Sequence, residues 1–156
     1  MTGWLKDANL TRAAISYLGS VTAIYAFNFL WAPLVDRVHI LGRQRLGQRR
    51  SWILWMQLAI VSLTIAMSYS NPANSVILTS ALALSIGLFA ATMDVAIDGY
   101  RIDIFAGEAN FLPAAAAMAV AGWWTGYSLP GYVAFHYADQ IGWPAAYQLL
   151  AFMLLV

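Results

Sequence analysis

The stretch Thr92-Met93-Asp94-Val95-Ala96-Ile97-Asp98-Gly99-Tyr100-Arg101-Ile102-Asp103 holds three of the seven acidic residues and closes a long apolar run. Asp94, Asp98 and Arg101 are spaced i, i+4, i+7, so on a continuing helix they share one face. A charge at the centre of a bilayer costs about 2.5–3.5 kcal/mol. These groups must therefore face protein or water, and they need partners. The helix from Ser75 to Asp94 rises about 28 Å at 1.5 Å per residue. That puts Asp94 at one edge of a membrane rather than at its midplane. Two readings of the stretch are open. In one, Asp94, Asp98 and Arg101 are an interfacial salt-bridge cluster that holds helix ends together. In the other, a carboxylate takes up and releases a proton during transport.

Composition supports the membrane setting. The 156 residues are 62% apolar and only 10% charged. A soluble domain usually carries about 25% charged residues, so this chain cannot cover a soluble surface. Cysteine is absent, which excludes disulfides and thiolate metal sites. Met1–Asn9 contains Trp4, Lys6 and Asp7 and lacks the apolar core of a cleavable signal peptide.

Hydropathy predicts an all-α membrane protein with spans at about 13–35, 52–69, 76–97 and 111–135, and a shorter apolar run at 145–156. Each of the four longer segments approaches the roughly 20 residues needed to cross a 30 Å hydrocarbon core. The run 145–156 reads as a fifth span cut short. Asn71-Pro72-Ala73-Asn74-Ser75 is a turn, and His136, Asp139 and Gly142-Trp143-Pro144 mark a short loop. Five of the eight basic residues, Arg37, Arg43, Arg45, Arg49 and Arg50, lie in the linker after the first span. Lys and Arg collect in cytoplasmic loops. The linker 36–50 and the linker 100–110 are thus expected inside, and the turn 71–75 outside. This places the amino terminus outside with Lys6 and Arg12, which leads us to expect a span ahead of Met1.

Other motifs carry two readings each. The arginine run suits anionic lipid heads, but Asp36 beside Arg37 also suits a charged latch between helices. Gly122-x-x-x-Gly126 with Pro130-Gly131 allows close helix packing or a bend. Asn28 and Gln57 are amides inside spans, suited to interhelical hydrogen bonds or to a cavity wall. His136 has no second ligand at metal-like spacing. A Gly-x-Gly-Asp protease segment, the full aspartate motif of CDP-alcohol phosphotransferases and a phosphate-binding Gly loop are all missing. We therefore expect no enzyme, no cofactor, no metal and no nucleic-acid partner.

Three segments in order carry a family resemblance: Phe29-Leu30-Trp31-Ala32-Pro33-Leu34-Val35-Asp36-Arg37, Gly47-Gln48-Arg49-Arg50-Ser51-Trp52, and Asp94 through Asp103. Together they resemble the AmpG-type permeases of the major facilitator superfamily, a group similar also to acetyl-CoA transporters. The resemblance implies that the spans correspond to helices two to five and the start of helix six. The chain would then be part of the amino-terminal half, which is built from three-helix inverted repeats. It further implies a multi-pass protein of the bacterial inner membrane that imports muropeptides with protons. Asp36, Arg37, Asp94, Asp98 and Arg101 would form a cytoplasmic gate or coupling group. Tyr25, Asn28, Trp124 and Tyr127 would line the cavity for a small-molecule solute. Relatives commonly carry lysine where this chain has Asn28, and arginine where it has Trp124. The implied partners are the lipid bilayer, protons, the solute and the remainder of the transporter chain. A small non-transporting membrane scaffold is the alternative from another class.

The arginine distribution yields a first test. Single cysteines at Gln48 and Asn74 are exposed to a membrane-impermeant thiol reagent in intact cells. Position 74 should react and position 48 should not, and the reverse pattern would invert the orientation.

Overall fold

The computed structural model describes residues 26–40, 43–71 and 75–155. The described residues are helical, with no strand. A 3-10 turn at Asn28–Leu30 leads into α1, Ala32–Arg37. Pro33 sits in the first turn of α1, where its missing N–H is not needed. Val38, at φ −80° and ψ 127°, ends this helix. The short α2, Arg43–Leu46, is followed by Gly47 and then α3, Gln48–Ser68. Gly47 has a φ of 85°, a conformation that side chains with a Cβ rarely take. α4 spans Val76–Ile104, and its first turn is capped by Ser75, whose hydroxyl accepts from the Leu78 N–H at 3.3 Å. A second 3-10 turn, Ala109–Phe111, precedes α5, Leu112–Met153.

α3 and α4 form the central pair. Trp52, early in α3, packs with Ala96, late in α4, while Met67, late in α3, packs with Ala83, early in α4. The two helices are therefore antiparallel, and their apolar clusters lie at opposite ends. Val35 of α1 completes the Trp52–Ala96 cluster. Tyr147 and Leu150 of α5 complete the other. Both α3 and α4 are long and apolar enough to cross a bilayer. At 29 residues, α4 is about 43 Å long. It is thus longer than a hydrocarbon core, and its charged end has room to reach water. Much of its surface is apolar and unburied: Ile77 is 85% exposed, and Leu78, Leu84 and Leu88 are also open. In lipid such a surface is at home.

Buried hydroxyls are satisfied inside their own helices. Ser51 donates to the Gly47 carbonyl at 2.8 Å, Thr64 to Ile60 at 2.8 Å, Thr79 to Ser75 at 3.0 Å and Thr92 to Leu88 at 2.7 Å. Back-bonding of this kind gives each of these four hydroxyls a partner within the apolar interior.

Two boundaries differ from the sequence expectation. The third span was expected to end at Ile97, but α4 runs on to Ile104. No Gly-Pro break interrupts Asp98–Asp103, so hydropathy ends there while the helix does not. A loop was expected from His136 to Pro144, but the helix continues to Ile141 and bends only at Gly142, with φ 79° and ψ 156°. Trp143 precedes Pro144, which disfavours a helical conformation for Trp143. The break is thus confined to one residue, and α5 is two arms, 112–141 and 143–153. The first arm covers the expected fourth span. It is long enough to cross, but Trp123–Ser128 interrupts its aliphatic run with aromatic and polar residues, and the described helices that combine length and apolarity as a span does are α3 and α4. Most of the expected first span, including Tyr25, and the tip of the 71–75 turn lie outside the described residues.

The corner at Gly142 is testable. Its backbone region is populated almost only by glycine, and other residues held there cost about 1–3 kcal/mol. Gly142→Ala should lower the thermal unfolding midpoint in detergent, whereas Gly131→Ala, inside the first arm with open space at its Cβ, should not.

Candidate functional site: one arginine between three helices

The ends of α1, α3 and α4 meet over the Val35–Trp52–Ala96 cluster, flanked by Ile40, Ile53, Met56 and Val95. Polar bonds tie the α1 end to the α3 start above it. Gln48 Nε2 donates to the Val35 carbonyl at 3.0 Å and to the Val38 carbonyl at 2.6 Å. Trp52 Nε1 donates to the same Val38 carbonyl at 3.1 Å. Helices leave their last carbonyls without partners, and here a neighbouring helix supplies the donors.

Arg49, in the first turn of α3, occupies the centre. Its Nη1 pairs with Asp36 Oδ1 of α1. Its Nε reaches Asp103 Oδ2 of α4 at 3.3 Å. The guanidinium lies against the α4 backbone at Gly99. A Cβ there would stand 2.6 Å from Arg49 Cζ and 2.8 Å from Nη1, so the close approach depends on glycine. Arg50 turns to the other side, its Cζ 5.9 Å from the Tyr100 ring centroid. Two consecutive arginines of α3 thus clasp two consecutive residues of α4.

The candidate residues fall into distinct positions. Asp98 accepts from Arg101 Nη2 at 2.7 Å, an i,i+3 pair within α4. Asp94 is half-buried and has neither a hydrogen bond nor an ion pair among the described residues. Arg37 is exposed and pairs with no described carboxylate. Asp36 does meet the end of α4, as expected, but through Arg49, and the α4 acid it meets is Asp103. Neither Arg49 nor Asp103 stood among the candidates. Their signal was the sequence separation 96, 99, 103, which stacks Ala96, Gly99 and Asp103 on one face once α4 continues past Ile97.

The expected cavity residues are less convergent. A cavity of about 620 Å³ lies between α3, α4 and both arms of α5, bordered by Ile60, Thr64, Thr125, Gly126, Pro130 and Tyr147. Trp124 and Tyr127 turn outward and are 59% and 71% exposed. Trp123 stacks on Tyr127 with 5.8 Å between centroids and meets Trp124 edge-on at 5.2 Å. The Asn28 carbonyl accepts from the Trp31 N–H at 3.3 Å. Gln57 Nε2 donates to the Leu154 carbonyl and so serves helix packing. His136 stacks on Tyr132 and meets Tyr137 edge-on. No cluster of His, Cys, Asp or Glu among the described residues is arranged to hold a metal.

A family profile described as acetyl-coenzyme A transporter 1 matches residues 3–80, half of the chain. The chain belongs to that transporter family. Among curated relatives, the putative transporter AmpG 4 of Rickettsia felis is 32% identical over 155 residues, covering 98% of this chain and 37% of its own length. The anhydromuropeptide permease of Escherichia coli K12 is 30% identical over 156 residues, covering 99% of this chain and 31% of its own length. The chain thus spans about a third of the length of these relatives. Membership in the transporter family, with the apolar helices α3 and α4, makes this a membrane protein.

In this transporter-family protein the corner can be divided into scaffold and charge. Two hydrogen bonds from Gln48 are worth about 0.5–1.5 kcal/mol each, whereas half-exposed ion pairs typically give about 0.2–1 kcal/mol. Gln48→Ala should therefore lower stability in detergent more than Arg49→Gln does. Guanidine or heat unfolding of the two variants checks this, and a larger loss for Arg49→Gln would make the arginine a structural strut.

Proposed function

We propose that the chain forms part of the amino-terminal half of a proton-coupled permease of the major facilitator type, resident in the bacterial inner membrane. Its solute is a cell-wall-derived muropeptide or a related anhydro-sugar peptide. The four spans at 13–35, 52–69, 76–97 and 111–135 cross the membrane, and the arm at 145–156 begins a fifth. The arginine-rich linker lies in the cytoplasm against anionic lipid heads.

The observation that carries this reading is the position of Arg49. It contributes modestly to stability, yet its two carboxylates lie on two other helices. Such a contact acts as a latch. It holds the cytoplasmic ends of α1, α3 and α4 together in one state, and it can be broken at small cost when those ends move. Alternating access needs contacts of this strength, since a bistable element switches only when its two states differ by a few kcal/mol. Asp36, Arg49 and Asp103 form the latch, and Asp98 with Arg101 extends it along α4. Arg37 stays free to meet lipid. Tyr25, Asn28, Trp124 and Tyr127 are proposed to face the solute pathway, which in a permease of this type lies between two six-helix halves. The relatives' names support a permease, and the anhydromuropeptide permease among them supports the solute class.

The test is made in the full-length transporter, in inverted vesicles or cells, with a radiolabelled anhydromuropeptide. Arg49→Gln should insert normally and reduce initial uptake about tenfold, the scale of one coupled ion-pair network. Residues 1–156 alone, in liposomes, should show no uptake above empty vesicles. Normal uptake by Arg49→Gln would remove the latch, and saturable uptake by the isolated chain would favour a self-sufficient small membrane protein.

A further inference from the structure

Glycine inside a long helix is a cost, because alanine gives up less backbone freedom there. Gly99 stands inside α4, Val76–Ile104, and the room it leaves is in use. A Cβ at Gly99 would stand 2.6 Å from Arg49 Cζ, 2.8 Å from Nη1 and 2.9 Å from Nε. At Gly107, Gly122, Gly126 and Gly131 a Cβ would meet nothing within 4 Å. The three atoms nearest to Gly99 all belong to one guanidinium. The space is therefore kept for a charged group, whereas the apolar contact between α3 and α4 is made at Trp52 and Ala96. That guanidinium is the one that pairs with Asp36 and Asp103.

We infer that Gly99 is a positioning residue for transport: it seats the Arg49 guanidinium on the α4 backbone, where that one group reaches Asp36 and Asp103 together. The assignment rests on the latch reading and adds to it a residue without charge. Carbon atoms rest about 3.5–4.0 Å apart, so a methyl at position 99 obliges Arg49 to lift away. The displaced atoms are the far end of a flexible side chain, so the side chain yields and the helices stay. The bond from Nε to Asp103, at 3.3 Å, is already longer than the roughly 2.7–2.9 Å usual for a charged pair. It has no slack to follow the move. Arg50, the next cation on α3, is held over the Tyr100 ring and does not replace Arg49. Gly99→Ala thus keeps every charge and every apolar contact of the corner and removes the bridge alone. Its signature is a loss of transport without a loss of stability, since alanine is the better helix residue. A glycine that served only to pack α3 against α4 would lose both.

The experiment uses the full-length transporter with a radiolabelled anhydromuropeptide as probe, and compares Gly99→Ala, Arg49→Gln and the double variant. Glutamine ends short of the atoms that a Cβ at position 99 would strike. Gly99→Ala should therefore slow initial uptake about tenfold, as Arg49→Gln does, and the double variant should also be slowed about tenfold. Two independent effects would multiply to about a hundredfold. The unfolding midpoint of Gly99→Ala in detergent should equal or exceed that of the unaltered protein. Gly107→Ala, with open space at its Cβ, should transport normally. Normal uptake by Gly99→Ala beside impaired Arg49→Gln removes the assignment and leaves the latch. A hundredfold loss in the double variant, or a lowered midpoint for Gly99→Ala, makes Gly99 a packing residue and also removes the assignment. If Gly99→Ala fails to insert, the double variant decides, since without the guanidinium it should insert; failure of both overturns the assignment. If Arg49→Gln takes up the probe normally, or the unaltered protein takes up none, the latch or permease reading falls and the assignment with it.

Discussion

A guanidinium with two carboxylates on two different helices can be satisfied only when three helix ends stand together. That requirement organises the corner where α1, α3 and α4 meet. Arg49 reaches Asp36 and Asp103 because Gly99 lets it lie against α4, and because Gln48 and Trp52 fix the end of α1 beside the start of α3. The apolar cluster of Val35, Trp52 and Ala96 sits directly beneath. Packing there supplies affinity between the helices, and the charges select one arrangement of their ends. Half-exposed pairs contribute little net stability, so selection rather than strength is what the arginine provides.

The bilayer explains the remaining economy of polar groups. With no water to accept or donate, every backbone group must be paired within its own helix. The serines and threonines of α3 and α4 follow the same rule by returning their hydroxyl protons to carbonyls one turn back. Apolar side chains then point outward without penalty, as Ile77 and Leu78 do. In water the same surface would drive aggregation. The uneven exposure of α4, apolar along most of its length and charged at one end, is what a helix crossing from lipid into an interface requires.

The sequence announced the helical class and the apolar runs of α3 and α4 clearly, since long segments without charge have few other solutions. It pointed Asp94 and Asp98 toward the end of the first span, whereas the α4 acid that shares a partner with Asp36 is Asp103. Nor did it show which arginine would join α1 to α4. The linker offers five, and only the fold brings Arg49, in the first turn of α3, onto the Gly99 side of α4. Asp103 was hidden for a related reason. Hydropathy stops at Ile97, whereas helix geometry needs no apolar residue to continue, so a polar extension looks like a loop when read from composition. The run from His136 to Ile141 misled in the same way. Helical spacing told which residues of α5 share a face, but not which face meets α3; Thr125 and Gly126 border the space between α3, α4 and α5, and Trp124 and Tyr127 are exposed beside them.

The kink at Gly142 divides α5 into two arms with a single residue. A loop of several residues can absorb a change in length by rearranging, but one residue has no slack. A residue added between Trp143 and Tyr147 would rotate everything after it by about 100° about the arm's axis. Tyr147 and Ala151, now buried, would swing away from their contacts, and no adjustment at the corner could return them. This part of the chain can therefore accept many exchanges of side chain, yet its length is fixed to the residue.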